Sequence, residues 1–397
     1  MAESHHGDNG GPVDGLILTA ADGEDDAVRS VGDQPWRIAK GPFSPPLTVW
    51  RADLPAAGGR VLRLALSKSF QMGTDSAGTL AGMLGEHLRP KCLAMCGVCA
   101  GRPTWTNLGD VIVADRVYRY DVGELLNTAP GGSAQFNADM LAHPLRLQWK
   151  QSAERLAVPP NTPWLAQRPL PRSLQDEWVL REIQSGRNPS QSAERKQRCP
   201  DWTEVVKTLK HDGLIKIDAA KGPQLTDAGQ ERVQTALFEH PDGIPEASPF
   251  QIHVGPLGTG SCLIRDVDIW ARLTSDQRML RGFDMEASVI GLAALVREIP
   301  WIVVKGVMDL AEPGRTQGFR KFAARAAAEV LVAFLRENVD SLGPSKGAPG
   351  IADSSPAMPS KPGNKIATHG AVLADVINNS VVVTGGNVNL GRDKKGG

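Results

Sequence analysis

Short apolar runs alternate with helix-patterned segments along most of the chain. GLILTA (15–20), RVLRLALSKS (60–69), CLAMCGVCAG (92–101), FQIHVGPLGTG (250–260) and WIVVKGV (301–307) read as strands, several of them apolar on both faces and so buried. Between them, ADGEDDAVRS (21–30) opens a helix on an acidic turn. TDSAGTLAGMLGEHL (74–88), NADMLAHPLRLQWKQSAERLA (137–157) and TQGFRKFAARAAAEVLVAFLREN (316–338) carry helical spacing. LGDVIVADRVYRYDVGE (108–124) follows the third strand. Strands alternating with helices predict an α/β domain with a largely parallel sheet.

The pattern breaks at the Pro-rich VPPNTPWLAQRPLPRS (158–173). LQDEWVLREIQ, DWTEVVKTLKHDGLIKID and PQLTDAGQERVQTAL then predict helices around a short strand, a small winged-helix-like unit. The expected organisation is a disordered leader at 1–12, an α/β domain in two parts at 13–160 and 248–340, and the winged-helix-like insertion at 165–245. A Pro/Gly/Ser linker follows at 341–366 and a β-rich tail at 367–397. The tail's β-branched runs flank Asn-Asn-Ser and Gly-Gly-Asn turns, as one or two hairpins would.

Composition narrows the classes. The 44 basic and 44 acidic residues cancel, which removes any global attraction to nucleic acid or anionic lipid. From Pro171 to Leu237 there are 11 Lys/Arg against 10 Asp/Glu, so the insertion lacks the basic excess of a DNA module. A protein-contact or substrate-capping role is expected of it. No window reaches the ~18 apolar residues of a membrane span, and the N-terminus lacks a signal pattern. A cytoplasmic location is expected. Cys96 and Cys99 form a single CxxC with no second pair and no His at ligand spacing, so small buried cysteines are expected rather than a zinc or redox site. No metal or cofactor is expected. His253, in a strand, reads as structural.

Several separated segments, in order, carry a resemblance: LTAADGE, MCGVCAGR followed by LGDVIVADRVYRYD, GPLGTGSCLIRD, DMEA and VVKGVMDLAE. Together they resemble the nucleoside phosphorylase/nucleosidase superfamily, which includes the methylthioadenosine/S-adenosylhomocysteine nucleosidases, over roughly 15–157 and 250–338. The resemblance implies a three-layer α/β/α fold with a mixed sheet, and cleavage of the bond between a base and ribose. It implies Asp309 as the general acid at the purine, Glu24 as the base that activates water, and Glu286 as the acceptor of the ribose hydroxyls, with Met285 beside it. Leu263 and Ile264 fall where the base packs. The physical chemistry agrees: a carboxyl at the end of an apolar strand is desolvated, which raises its pKa toward a useful value. One carboxylate also suits two hydroxyl donors. Taken singly, Asp284, Glu286, Glu24 and Asp309 would each also pass as a helix first-turn or turn-forming acid.

Phosphorylases in the family commonly place a phosphate-binding serine after the third strand. Here the segment reads Gly97-Val98-Cys99-Ala100-Gly101, and a valine side chain cannot donate to phosphate. Hydrolysis is therefore expected, with phosphorolysis as the rival. A non-catalytic nucleoside sensor acting through the winged helix is the second rival. Ser261, Leu263, Lys305 and Met308 depart from the family pattern and leave base specificity open. Tyr118 and Tyr120, the chain's only tyrosines, read either as packed strand residues or as a rim over the ribose 5′ end. Arg102, Arg116, Arg119 and Lys68 are candidate ligands for a 5′-phosphate or triphosphate. Family members are usually homo-oligomers, and the linker and tail suit recruitment of a protein partner, as in a stress-response or antiviral defence effector.

Overall fold

A computed structural model describes residues 12–32, 34–39, 47–126, 135–139, 141–218, 222–262, 264, 266, 268–312, 318–343, 375–377 and 380–382. The leader at 1–11, Leu263, most of the linker and the tail's Gly-Gly-Asn turn lie outside these residues. The chain divides into two compact units, Met1–Ser345 and Lys346–Gly397.

In the first unit, β1 (Gly15–Thr19) leads into α1 (Glu24–Arg29), a two-residue strand β2 (Arg37–Ile38), β3 (Val49–Ala56) and β4 (Arg60–Lys68). Then come α2 (Thr74–Leu88), β5 (Cys92–Gly101) and β6 (Val111–Arg119). A small hairpin, β7 (Gly123–Leu126) with β8 (Gln135–Ala138), precedes β9 (Ala142–Pro144) and α3 (Leu147–Glu154). The next elements are α4 (Arg172–Gln184), α5 (Arg195–Arg198), α6 (Trp202–His211), β10 (Ile215–Asp218), β11 (Gly222–Leu225) and α7 (Asp227–Glu239). The unit closes with β12 (Ile252–Thr259), α8 (Ile269–Asp276), β13 (Gly282–Asp284), α9 (Ala287–Val296), β14 (Trp301–Asp309) and α10 (Arg320–Glu337).

Ten strands form one mixed sheet in the order β13-β12-β6-β14-β5-β1-β4-β3-β2, with β9 paired to β6. The central pairs β1–β4, β1–β5 and β5–β14 are parallel, and β14–β6 is antiparallel. β13 also pairs antiparallel with β5, so part of the sheet closes on itself at the ends of β5 and β14. This is the expected mixed α/β class, built by strands from both sides of the segment 165–245. Every residue of β5 is buried, as a central parallel strand covered on both faces requires.

Helix α10 lies against β14 through a row of buried alanines, Ala323, Ala324, Ala326, Ala327 and Ala328. A Cβ on Gly306 would collide with the Ala323 backbone carbonyl, so the helix can sit this close only over glycine.

The pattern at 137–157 misleads. The helix expected over 137–157 is cut short: its first part holds the end of β8 and all of β9, which pairs antiparallel to β6, and α3 starts only at Leu147. Pro144 explains the difference: it would clash inside a helix, and it holds the preceding residue extended. Helices α4 to α7 and the antiparallel β10–β11 hairpin have their own small core around Trp178, Val179, Ile183, Val205, Leu209 and Val233. The Thr226 hydroxyl caps α7 by accepting from Gly229 N at 3.1 Å. His253 and Arg168 both pair with the fully buried Asp110, at 2.9 and 3.1 Å, which makes His253 a structural residue as expected.

In the second unit, β15 (Asp375–Ile377) and β16 (Ser380–Val382) pair as an antiparallel hairpin. Among the described residues, no helix is long and apolar enough to cross a membrane.

Gly306→Ala forces α10 off the sheet and is expected to destabilise the protein by about 3 kcal/mol, read as a lower urea midpoint. An unchanged midpoint would contradict the close packing described for β14 and α10.

Candidate active site

Four buried acids gather where β1, β5, β13 and β14 end. Glu24 begins α1, just past the end of β1, and is 2% exposed. Its Oε2 accepts from Ala20 N and Ala21 N, and its Oε1 from Val98 N, each at 2.9 Å. A Cβ on Gly97 would lie 2.6 Å from Glu24 Oε1, so the glycine admits the carboxylate against β5. A carboxylate offers about four lone-pair sites, and three are engaged here, which fixes the group's orientation.

Glu286 sits at the entry to α9. Its Oε1 accepts from Gly73 N at 2.9 Å, in the loop that leads into α2. Burial pushes its pKa up, reinforced by the neighbouring Asp284 and Glu24 charges and opposed by Lys305 and the Gly73 amide. Asp284 closes β13. Both its oxygens accept from Ala287 N at 3.1 Å, and Oδ1 also accepts from the Thr259 hydroxyl at 3.0 Å. The helix-entry role that its position suggested is therefore present.

Lys305 is the residue that sequence reading undervalued. It lies in the middle of β14, fully buried, with Nζ 2.8 Å from Asp284 Oδ2 and 3.7 Å from Glu286 Oε2. The shorter contact is close enough for an ion pair, although its angle falls outside that of a well-aligned hydrogen bond. Burial alone would lower the lysine's pKa. Asp284, Glu286 and Glu24 together overcome that and hold it above its ordinary value, so it stays a cation. The signal was a single charge inside the otherwise apolar run WIVVKGV.

Asp309 ends β14 and is 4% exposed. β14 pairs with β5 through an irregularity between Val307 and Asp309, which puts Asp309 opposite Ala100. The Ala311 amide donates to Asp309 Oδ1 at 3.0 Å, and Ala311 itself is fully buried at φ 62°. A left-handed alanine costs about 1 kcal/mol, a strain typical of functional turns.

Beside these carboxylates lies an aromatic wall. Tyr118, Tyr120, Trp270 and Phe283 pack in one buried cluster with Ile264 against it. The Tyr120 and Phe283 rings meet edge-on at 6.0 Å, and Trp270 and Phe283 lie 4.9 Å apart. Tyr118 is a packed residue of β6, and Tyr120, buried just past the end of that strand, also borders a cleft. Burial raises the pKa of each, and neither hydroxyl has a hydrogen-bond partner among the described residues. A cleft of about 360 Å³ opens beyond Tyr120 and is lined by Asp121, Ser261, Cys262, Ile264 and Arg272 among others. Glu24, Glu286 and Asp309 do not line it, so the cleft neighbours the carboxylate cluster without containing it. Met285 is half-buried beside Glu286.

The four basic candidates do not converge. Lys68 pairs with Asp22 at 2.7 Å at the end of β4. Arg119 holds Asp121 at 2.9 Å and Ser261 at 3.2 Å on the rim of the cleft. Exposed Arg116 faces Asp115 at 3.4 Å. Arg102 donates to the Arg278 carbonyl and lies over Trp105, with Arg281 also against that ring. Each has a local partner, and they lie apart on β4, on β6 and just past the end of β5. Only Arg119 is next to the cleft.

All the described cysteines are free thiols. Burial pushes Cys92 up to about 12 and raises Cys96 and Cys99 strongly as well, so the CxxC pair is an inert part of the β5 core.

The class defined by this geometry is a mixed α/β protein with a lysine-compensated carboxylate cluster at the strand ends. No family model matches the chain. It is 22% identical over 320 residues to the uncharacterized protein y4jS of Sinorhizobium fredii, covering 80% of this chain and 59% of that one. The chain thus spans less than two thirds of that relative's length. Among solved structures, it is similar to the 5′-methylthioadenosine/S-adenosylhomocysteine nucleosidase of Neisseria meningitidis in complex with methylthio-immucillin-A. That match has 13% identity and a TM-score of 0.47, covering 82% of this chain and 99% of the other. It is also similar to the futalosine hydrolase of Helicobacter pylori, at 10% identity and a TM-score of 0.47, covering 84% and 99%. A third similar structure is the S-adenosylhomocysteine nucleosidase of Streptococcus pyogenes, at 17% identity and a TM-score of 0.47, covering 82% and 97%.

The raised Glu286 pKa has a definite sign for stability. A carboxyl whose folded pKa lies above the unfolded 4.5 stabilises fully below that value, and the contribution is lost as pH rises through the folded pKa. Glu286→Gln is therefore expected to melt a few degrees above the parent at pH 7. The gap should close as pH falls toward 4, which thermal melts across that range would read. A gap that widened on acidification would contradict the burial account.

Proposed function

We propose that the chain is an N-ribosyl hydrolase, a nucleosidase that cleaves the N-glycosidic bond of a purine nucleoside or nucleotide, adenine nucleotides included. Free base and ribose or ribose phosphate are the products. The motif resemblance supports the reaction class. The observation that carries the choice of water as nucleophile is Glu24. Its carboxylate already occupies the Val98 amide and the space over Gly97, where a phosphorylase of the resembled family would take its phosphate. A second anion there would meet a fixed negative charge.

In the reaction, Glu24 takes a proton from water as the oxygen attacks C1′. The C1′–N bond breaks, and its electron pair passes to the purine, which Asp309 protonates or hydrogen-bonds at N7. Glu286 accepts from the ribose hydroxyls as positive charge builds on the sugar. Lys305 keeps Asp284 and Glu286 together without presenting a cation to the developing oxocarbenium, because its ammonium is spent on those two acids. Base packing falls to Ile264 and the aromatic wall, with Leu263 in the same segment. The dispersal of Lys68, Arg102 and Arg116 favours an uncharged 5′ group or one read by Arg119 and Arg272 at the cleft.

We infer a homo-oligomer, supported by apolar side chains left exposed on α2 and α9: Met83, Leu292, Leu295 and Val296. Phe70 and Met72, also exposed, precede the Gly73 that binds Glu286, so such an interface would border the site. The segment 165–245 is read as a winged-helix-like protein-contact or capping module. The stretch 341–397 is read as a recruiting arm, in keeping with an effector of a stress or defence system.

The deciding assay incubates the protein with adenosine, 5′-methylthioadenosine, AMP, ATP and their guanine counterparts, with and without phosphate, and resolves free base by chromatography. Base release is expected without phosphate, and Asp309→Asn or Glu24→Gln is expected to slow it at least ~100-fold. Release that requires phosphate would replace hydrolysis by phosphorolysis. For the assembly, Leu295→Asp with Val296→Asp is expected to lower the mass measured by light scattering to that of one chain. A mass unchanged by the double substitution would remove α9 from the interface.

A further inference from the structure

The ladder of β14 does not fix the direction of the Asp309 carboxyl. The β5–β14 pairing shifts between Val307 and Asp309, and such an irregularity re-aims the side chains that follow it. The turn Asp309–Leu310–Ala311 supplies contacts that orient the carboxyl. On one side the Ala311 amide donates to Asp309 Oδ1 at 3.0 Å. On the other, the indole Nε1–H of Trp270 donates to the Leu310 carbonyl at 3.1 Å. The two contacts hold opposite ends of the single Leu310–Ala311 peptide group, and Ala311 leaves that group fully buried and left-handed at φ 62°. A non-glycine residue stays in that conformation only when its surroundings impose it.

Trp270 is well placed to impose it. The residue is buried on α8 with Ile269 and Leu273, and its ring lies 4.9 Å from Phe283. Phe283 pairs with Ala100 of β5, the residue that also faces Asp309. Helix α8, the end of β13 and the end of β14 are therefore joined through one indole, whose ring packs on Phe283 while its N–H reaches the turn.

We propose that Trp270 is a positioning residue for Asp309. Its N–H pins the Leu310 carbonyl, locks the strained turn and so aims the carboxyl that serves the leaving base. The proposal rests on the reading of Asp309 as general acid and extends it to a residue on a different helix. Loss of the N–H lets the turn relax toward an ordinary backbone conformation, with the carboxyl displaced. A displacement of this kind lowers the rate of proton delivery and leaves the grip on ribose untouched, because Glu286 is held separately by Gly73 and Lys305.

The test uses the full chain with Trp270→Phe, which keeps an aromatic ring and removes only the donor, alongside Asp309→Asn and the double variant. On whichever nucleoside or nucleotide of the assay panel is turned over fastest, Trp270→Phe is expected to lower kcat about tenfold with KM within about twofold. It is expected to add nothing further in the Asp309→Asn background, the mark of two residues acting as one unit. Hydrogen exchange of the Ala311 amide, read without substrate, is expected to speed up at least about tenfold in Trp270→Phe. The Val303 and Val304 amides of β14 should keep their protection. Equal rate losses in both backgrounds, a change in KM alone, or an Ala311 amide as protected as in the parent would overturn the positioning role. Full activity in Asp309→Asn would instead remove Asp309 from the chemistry, a separate failure that the single variant reveals. Should no panel substrate be turned over, the exchange measurement alone decides whether Trp270 holds the turn.

Discussion

A buried lysine holds the carboxylate-bearing end of this sheet together. Three carboxylates, Glu24, Asp284 and Glu286, lie close enough to Lys305 to raise its pKa against the pull of burial. Without a cation among them, acids packed this tightly in an apolar setting would repel one another or take up protons. One charge near the centre of β14 changes that balance, and the cluster can stay at the ends of β1, β13 and β14 where a ligand would meet it. Carboxylates placed around a buried lysine are also a specific arrangement, since removing the one cation leaves several acids uncompensated.

The neighbouring features follow from the same economy of space. Gly97 lets Glu24 reach the β5 backbone, and Gly306 lets α10 cover β14 from the far side. Asp284 serves two structures at once, the entry to α9 and the lysine. The Gly73 amide reaches Glu286 from the loop before α2, so a segment far away in sequence orients it. In the proposed reaction these acids stay distinct because their surroundings differ. Glu24 takes three backbone donors and keeps one acceptor site, Glu286 is buried beside a lysine, and Asp309 borders a strained turn.

Much of this was legible in the sequence. Strands β1 and β5 are continuous runs without a charge because both their faces are covered, β14 is such a run broken by Lys305, and α2 falls where its small residues predict. The positions of Glu24, Glu286 and Asp309 stood out because Glu24 and Asp309 follow apolar runs, Glu286 precedes one, and all three stand in recognisable motifs; the structure shows each of them buried. Other features were hidden because they depend on partners remote in the chain. The pairing of β13 with both β12 and β5 joins strands that no local pattern connects. The extended stretch before α3 looked helical because Pro144 was outvoted by its neighbours' spacing. Lys305 read as one family departure among several until Asp284 stood 2.8 Å away. The arginines showed the converse: types suited to phosphate recurred at plausible strand ends, and only three dimensions revealed their separate partners.

The most direct test of the central claim, that Lys305 makes the carboxylate cluster tolerable, is urea unfolding at pH 7 of Lys305→Met and of Lys305→Met with Asp284→Asn. If the ion pair bears the cluster, the single variant loses about 3 kcal/mol or more, and removing the orphaned Asp284 charge restores a substantial part of it. A single variant as stable as the parent, or a double variant weaker than the single, would show that the acids are accommodated in some other way.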